Sequence, residues 1–207
     1  MYREYNFTEY VDHELWSSYF VQIKEILATK SNSLLEIGVG SGLPGYVLKN
    51  FLKHNYESLD INPDLNPDYI GSVLDMPFEN KKYDTVCCFE VLEHLPFEDF
   101  EKALTEIFRI AKINVILSLP NASPVLKFHI TRKIKIKIIN LQFLFRPRKH
   151  KFNGVHYWEI DKIGFEAKKI TKLIQMTAEK NSFSLLKYYR IWENPYHQIF
   201  ILKRTMG

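Results

Sequence analysis

Between residues 107 and 158 the sequence contains no Asp or Glu, while the same window carries eleven Lys and Arg, from Arg109 to Lys151. A modest net charge of +4 therefore divides into +11 inside that window and −7 outside it. Charge this concentrated implies an anionic partner more strongly than the total does. Cysteine is almost missing: the only two, Cys87 and Cys88, are adjacent within an apolar run. Neighbouring cysteines seldom pair with each other, which excludes a disulfide scaffold. They read as reduced core residues of a protein in a reducing compartment, with cytoplasmic localisation expected. No apolar run approaches the ~20 residues that span a bilayer, and the opening Met-Tyr-Arg-Glu-Tyr-Asn has no apolar signal core. Internal repeats and low-complexity tracts are absent. No tight group of His, Cys and carboxylates stands at ligand spacing, so a metal site is not expected.

What is present suits one α/β domain. A chain of 207 residues, 46% hydrophobic and 25% charged, can bury a sizeable core but is short for two. Glycine is sparse, yet Gly38, Gly40 and Gly42 stand at alternate positions in Leu-Leu-Glu-Ile-Gly-Val-Gly-Ser-Gly-Leu-Pro-Gly-Tyr. A short apolar run precedes them, and apolar residues at helical spacing (Val47, Leu48, Phe51, Leu52) follow. Strand, glycine turn and helix together bring bare backbone against a ligand, because glycine adopts positive φ and lacks Cβ. The dinucleotide fingerprint is G-x-G-x-x-G; here the order is G-x-G-x-G, with Leu43 where the third dinucleotide glycine would stand.

The stretch resembles motif I of the class I S-adenosylmethionine-dependent methyltransferases, (acidic)-x-G-x-G-x-G, which Glu36, Gly38, Gly40 and Gly42 match at all four positions. Further segments agree in order. Asp60, followed by Ile61, ends the second strand; a carboxylate there accepts hydrogen bonds from ribose hydroxyls, a feature that serves NAD and S-adenosylmethionine alike. Asp75-Met76-Pro77-Phe78 resembles the family's D-x-P-F segment. The resemblance implies that Asp75 binds the adenine amino group and that the Met76 backbone N–H meets a ring nitrogen. Residues 83–95, with Glu90-Val91-Leu92-Glu93-His94, resemble the strand-end segment of the type 11 methyltransferases, which implies that Glu90 lines the cofactor.

The expected fold follows. After a lead helix over 8–29, strands are predicted at 34–37 (β1), 56–61 (β2), 70–74 (β3), 83–89 (β4) and 114–119 (β5). A terminal pair is predicted at 184–192 (β6) and 196–203 (β7). Helices are predicted at 43–54, 96–112 and 166–181. Residues 62–68 are turn-forming, so the β2–β3 crossover is expected to be short or irregular. The resemblance implies an α/β, Rossmann-like three-layer sandwich with a seven-stranded, mostly parallel sheet of order 3-2-1-4-5-7-6 and helices on both faces. One domain then covers 1–207, with a helical lead at 1–30 and a basic substrate-cap insert after β5 at 122–160. The centre of the insert, 132–139, alternates charged and apolar residues like an edge strand, whereas its flanks suit an amphipathic helix or a membrane-surface stretch.

Beyond the insert's centre, His156-Tyr157-Trp158-Glu159 reads as a pocket wall. Tyr157, Trp158 and Asn121, at the end of β5, are the candidate substrate contacts. His156, and more weakly His94, are the candidate bases if the acceptor is a hydroxyl. A sulfonium donor releases a neutral thioether, so alignment does much of the catalysis and no base is strictly required. The reading favoured is O-methylation, from S-adenosylmethionine to S-adenosylhomocysteine, of a small or lipid- or sugar-linked anionic acceptor. An anionic membrane surface is a further partner for the basic insert, and nucleic acid is less favoured. A non-catalytic binding protein attached to an anionic surface or RNA is the alternative. An NAD-linked oxidoreductase ranks below both, since it leaves Asp75 and the Glu90–His94 segment unexplained.

Overall fold

The apolar run Leu34–Ile37 forms β1, buried along its whole length, and the other layers are built outward from it. The structure, a computed structural model, describes residues 10–127, 139–140 and 148–205. Around β1 lie β2 (Tyr56–Asp60), β3 (Tyr69–Ile70), β4 (Tyr83–Phe89), β5 (Ala111–Pro120), β6 (Phe183–Arg190) and β7 (His197–Arg204). They form one sheet of order β3-β2-β1-β4-β5-β7-β6, the order expected. The first five strands are parallel; β7 lies antiparallel to both β5 and β6. The β2–β3 crossover is reduced to one short 3-10 turn, Pro63–Leu65, capped by Asn62, whose side chain accepts from the Asp64 N–H. In consequence β3 has only two residues.

Among the described residues, four helices cover the sheet. The first, α1 (His13–Ala28), starts where the Asp12 side chain accepts the Leu15 N–H at 2.7 Å, the usual N-cap arrangement. A second, α2 (Leu43–Tyr46), continues through Val47–Phe51 with wider i→i+5 spacing. On the opposite face lie α3 (Phe100–Ile110) and α4 (Ala167–Lys180). Alternation along the strands sorts their side chains between the two layers. Cys88 packs with Leu35, Val86, Leu104 and Ile174, whereas Cys87 packs with Leu34, Leu48 and Ile199. The two thiols thus point to opposite sides of the sheet. Both are buried and free, as the sequence suggested.

The insert leaves and re-enters at one point. The Ile160 N–H donates to the Pro120 carbonyl at 2.9 Å, and the Ala122 N–H donates to the Ile160 carbonyl at 3.0 Å. Between these ends, Val125–Leu126 pairs antiparallel with Ile139–Asn140. The alternating stretch expected at 132–139 lies, but for Ile139, outside the described residues, as do most of the flanks. Among the described residues no helix is long and apolar enough to cross a membrane.

One expectation is corrected by the packing. Trp158 is not a pocket wall: it is fully buried, its ring lying 4.9 Å from Phe100, 5.2 Å from Phe97 and 6.1 Å from Phe165. An indole is too apolar to stay at the surface when three rings offer a dry slot. Trp158→Ala should therefore cost ~3–5 kcal/mol of stability, read from urea denaturation. A loss below about 1 kcal/mol would show that the ring is not a core element.

Candidate active site

The order of the sheet reverses between β1 and β4, and ligands of open α/β sheets bind beyond the strand ends at such a reversal. The glycine turn stands there. Gly38, Gly40 and Gly42 have φ of +84°, +54° and +70°, the left-handed region that glycine enters without cost. A Cβ on Gly38 would lie 2.2 Å from Val91 Cγ2, so the turn is packed tightly against the β4 corner. At Gly40 a Cβ would meet nothing within 4 Å, so one side of the loop faces open space. Asp60 holds the turn from β2: Oδ2 accepts the Val39 N–H and Oδ1 accepts the Asn62 N–H, each at 2.8 Å. Ile61 beside it is 65% exposed. From α1, the Tyr19 hydroxyl lies 2.8 Å from Ser41 Oγ, so the lead helix borders the same mouth.

Glu36 stands beneath the loop rather than on its rim. It is 3% exposed, and its Oε2 accepts the Tyr56 hydroxyl proton. Gly45 makes room for that pair, since a Cβ there would meet Tyr56 Oη at 2.3 Å. Burial raises the Glu36 carboxyl from 4.5 to about 7, against the lowering effect of the Tyr56 hydrogen bond.

Where the resemblance implies adenine, the result is mixed. Asp75 is exposed, but the Met76 N–H already donates to Glu106 Oε2 at 3.3 Å and the Met76 side chain is buried. Met76 is thus committed to the protein, which corrects its expected role as a donor to a ring nitrogen. Arg109 fixes this loop by donating to the carbonyls of Met76 and Phe78 and to Glu106. One member of the basic window is thereby structural. Lys112, 3.6 Å from Asp84, and Lys127, which donates to the Glu193 carbonyl, are also engaged locally. Arg148, Lys149 and Lys151 are exposed.

The ends of β4 and β5 form a second corner. Glu90, at φ +52°, places Oε2 3.6 Å from His197 Nε2. Burial pushes the His197 imidazole down to about 4, so it is neutral near pH 7. Burial also raises both Glu90 and Glu93. His156 Nδ1 lies 3.3 Å from Glu159 Oε1, which also accepts the Tyr196 hydroxyl at 2.9 Å. Those contacts hold Glu159 down to about 2, the His156 bond contributing most and burial opposing it. Glu159 is therefore anionic, and a carboxylate can only accept, so His156 donates to it from Nδ1 and leaves Nε2 on the other side of the ring. His94 stacks edge-on against it, ring centroids 5.0 Å apart. Glu93, His94 and His156 gather with their donor atoms within 4.8 Å of one another. The sequence did not show this group, because 62 residues separate His94 from His156.

Of the proposed substrate contacts, only Tyr157 is open, 45% exposed and 4.7 Å from the Phe152 ring. Asn121 is 4% exposed and spends its amide internally, donating to Gln198 Oε1 at 2.6 Å and accepting the Ser123 N–H at 2.9 Å. It joins the insert to β7 and does not face an acceptor. Glu93, Glu159, Tyr196 and His197 were not picked out from the sequence. Glu93 and Glu159 lie inside the two quoted motifs, and their adjacency to His94 and His156 was a usable signal. For Tyr196 and His197, on the β6–β7 turn, no local pattern marked them.

Residues 35–119 match the family model described as a methyltransferase domain, a span that includes the glycine loop, Asp60, Asp75 and Glu90–His94. No curated protein matches the chain in sequence. Among solved structures, magnesium protoporphyrin IX methyltransferase from Synechocystis PCC 6803, with bound S-adenosylhomocysteine, superposes with a TM-score of 0.59 at 14% identity. That alignment covers 94% of this chain and 89% of the other. The 1,6-didemethyltoxoflavin-N1-methyltransferase of Burkholderia thailandensis gives 0.57 at 10%, covering 91% and 77%. The small RNA methyltransferase HEN1 gives 0.64 at 16%, covering 100% of this chain and 27% of that one. At such identities the likeness shows the fold, which is that of the class I S-adenosylmethionine-dependent methyltransferases.

The loop generates two expectations. Asp60→Ala removes the acceptor of the Val39 N–H and the carboxylate at the ribose position. S-adenosylhomocysteine affinity measured by calorimetry should fall roughly 10- to 100-fold, the ~1.5–3 kcal/mol of a hydrogen bond to a charged group; an unchanged affinity would place the ribose elsewhere. For Glu36, a folded-state value raised above the ordinary one means that its stabilisation is complete below 4.5 and lost as pH rises through about 7. Glu36→Gln should therefore gain on wild type by roughly 3 kcal/mol across that range in urea denaturation. Parallel pH curves for the two proteins would rule out a buried, neutral carboxyl.

Proposed function

Because residues 35–119 match a methyltransferase-domain family model, we propose that the protein transfers a methyl group from S-adenosylmethionine to a hydroxyl of a small or lipid- or sugar-linked anionic acceptor. The residues present fit the cofactor: the Gly38–Gly42 turn offers an open side at Gly40 and Asp60 stands at the end of β2. Glu36 supports that turn from beneath, and Asp75 and Glu90 border the two ends of the mouth. When bound, the cofactor supplies an electrophilic methyl on sulfur, whose leaving thioether is neutral.

The observation that carries the hydroxyl reading is the chain Tyr196–Glu159–His156. An anionic carboxylate holds the imidazole by Nδ1 and leaves Nε2 on the side of the β4 corner. This is the arrangement of a general base oriented by a carboxylate. An acceptor hydroxyl brought to Nε2 loses its proton there while its oxygen is aligned with the methyl. His94, 41% exposed with Nδ1 held by the Val155 carbonyl, walls the same corner. The anionic class follows from the exposed cations Arg148, Lys149 and Lys151 at the root of the insert, which would meet a phosphate or carboxylate on the acceptor. Tyr157 and Phe152 add an exposed aromatic face suited to a sugar ring or an acyl chain. We assign 122–160 as the acceptor-selecting cap of a single domain.

The test uses methyl-labelled S-adenosylmethionine against phosphorylated sugars, lipid-linked sugars and short RNAs. Label should enter a hydroxyl of one of the first two classes. His156→Ala should lower turnover by ~10²–10⁴ while S-adenosylhomocysteine still binds. Transfer to a base nitrogen, or turnover indifferent to His156→Ala, would overturn the hydroxyl reading.

A further inference from the structure

Glu93 is the group that the reading above leaves unexplained. It follows β4 in the short turn Leu92–His94 and its side chain is fully buried. Neither Oε1 nor Oε2 has a hydrogen-bond donor among the described residues. A carboxyl without a partner in a dry site is costly whether charged or neutral. Yet Oε1 is aimed at two imidazole nitrogens, His94 Nε2 at 3.9 Å and His156 Nε2 at 4.0 Å.

Both imidazoles are set for the same task. His94 Nδ1 lies 3.0 Å from the Val155 carbonyl, and His156 Nδ1 lies 3.3 Å from Glu159. Carbonyl and carboxylate oxygens only accept, so each ring donates from Nδ1 and points Nε2 toward Glu93. An acceptor behind Nδ1 is the outer contact that metal-ligating histidines almost always make. The remaining groups packed on the corner are Glu90, Glu159, Tyr196 and His197. Of these, Glu159 is the anionic carboxylate, and it lies against His156.

We propose that Glu93, His94 and His156 bind a divalent transition-metal ion as a set of two histidines and one carboxylate. Bonds of ~2.0–2.2 Å put donor atoms about 3–3.5 Å apart around such an ion, so the three side chains close by roughly an ångström. His94 is the exposed member of the three. Imidazole with carboxylate suits zinc, cobalt, manganese or iron better than magnesium or calcium. Three ligands on one side leave coordination positions open toward the mouth between β4 and β5. The reading above brings the acceptor hydroxyl to that place, and the ion's use in the reaction rests on that reading, whereas its binding does not. With the ion bound, the His156 lone pair is a ligand, and the cation in its place favours ionisation of the hydroxyl. The acceptor class narrows accordingly to alcohols with a second oxygen close enough to chelate, such as vicinal diols.

The test titrates the full chain, stripped with a chelator, with Co²⁺ and follows visible absorption, then displaces the ion with Zn²⁺ in a calorimeter. One site per chain with ligand-field bands of a nitrogen- and oxygen-bound ion is expected. Glu93→Gln and His94→Gln should each weaken binding by at least the roughly tenfold that loss of even an outer partner costs. S-adenosylhomocysteine binding, measured in parallel, shows whether each variant is folded. Wild-type protein that binds S-adenosylhomocysteine but leaves Co²⁺ with its aqueous spectrum overturns the metal site and spares the methyltransferase reading. Bands that persist unchanged in both variants also overturn it, because the ion then sits elsewhere.

Discussion

The turn between β1 and α2 depends on one carboxylate. Asp60 receives the Val39 N–H on one oxygen and the Asn62 N–H on the other, which ties the end of β2 to the middle of the glycine loop. That tie holds three left-handed glycines at alternate positions, each of which any other residue would occupy at a cost of the order of 1 kcal/mol. It also fixes the loop against Val91, so the cofactor side and the β4 corner share one wall. Much of the rest is organised to preserve this contact. Tyr56 and Glu36 fill the space under the helix that follows, Tyr19 reaches the loop from α1, and the parallel register of β1, β2 and β4 sets the height at which the side chains emerge.

On the other side of Val91 the protein concentrates ionisable groups in a dry place. Glu90, Glu93 and Glu159 lie near His94, His156 and His197, yet their states are pushed apart: Glu159 stays anionic through His156 and Tyr196, while burial raises Glu90 and Glu93 and neutralises His197. Separated states of this kind, set by environment rather than residue type, are how a site handles protons at neutral pH. The corner is assembled from three places in the chain: the end of β4, the return of the insert, and the start of β7. The paired ends of the insert at Pro120–Ala122 and Ile160 bring them together.

The fold was legible because its signals are local. An apolar run, alternate glycines and an acidic strand end each announce one element, and their order fixes the sheet through the handedness of crossovers. The glycine turn was legible for the same reason: Gly38, Gly40 and Gly42 bend the chain after β1, and Asp60 at the end of β2 meets the turn. The errors fell where neighbours in space decide. Met76 carries the right motif, but Glu106, 30 residues on, takes its N–H. Trp158 sits beside exposed Tyr157, and only the packing of Phe97, Phe100 and Phe165 tells one from the other. Asn121 ends a strand at the mouth, yet Gln198 claims its amide. The meeting of Glu93 with His156 depends on the insert's return, which no spacing in the sequence encodes.

Calorimetric titration of the full chain with S-adenosylhomocysteine and with NAD most directly tests whether the Gly38–Gly42 turn and Asp60 form a methyl-donor site. Saturable one-to-one binding of S-adenosylhomocysteine, with no heat from NAD, is the expected result. Binding of NAD, or of neither, would contradict it.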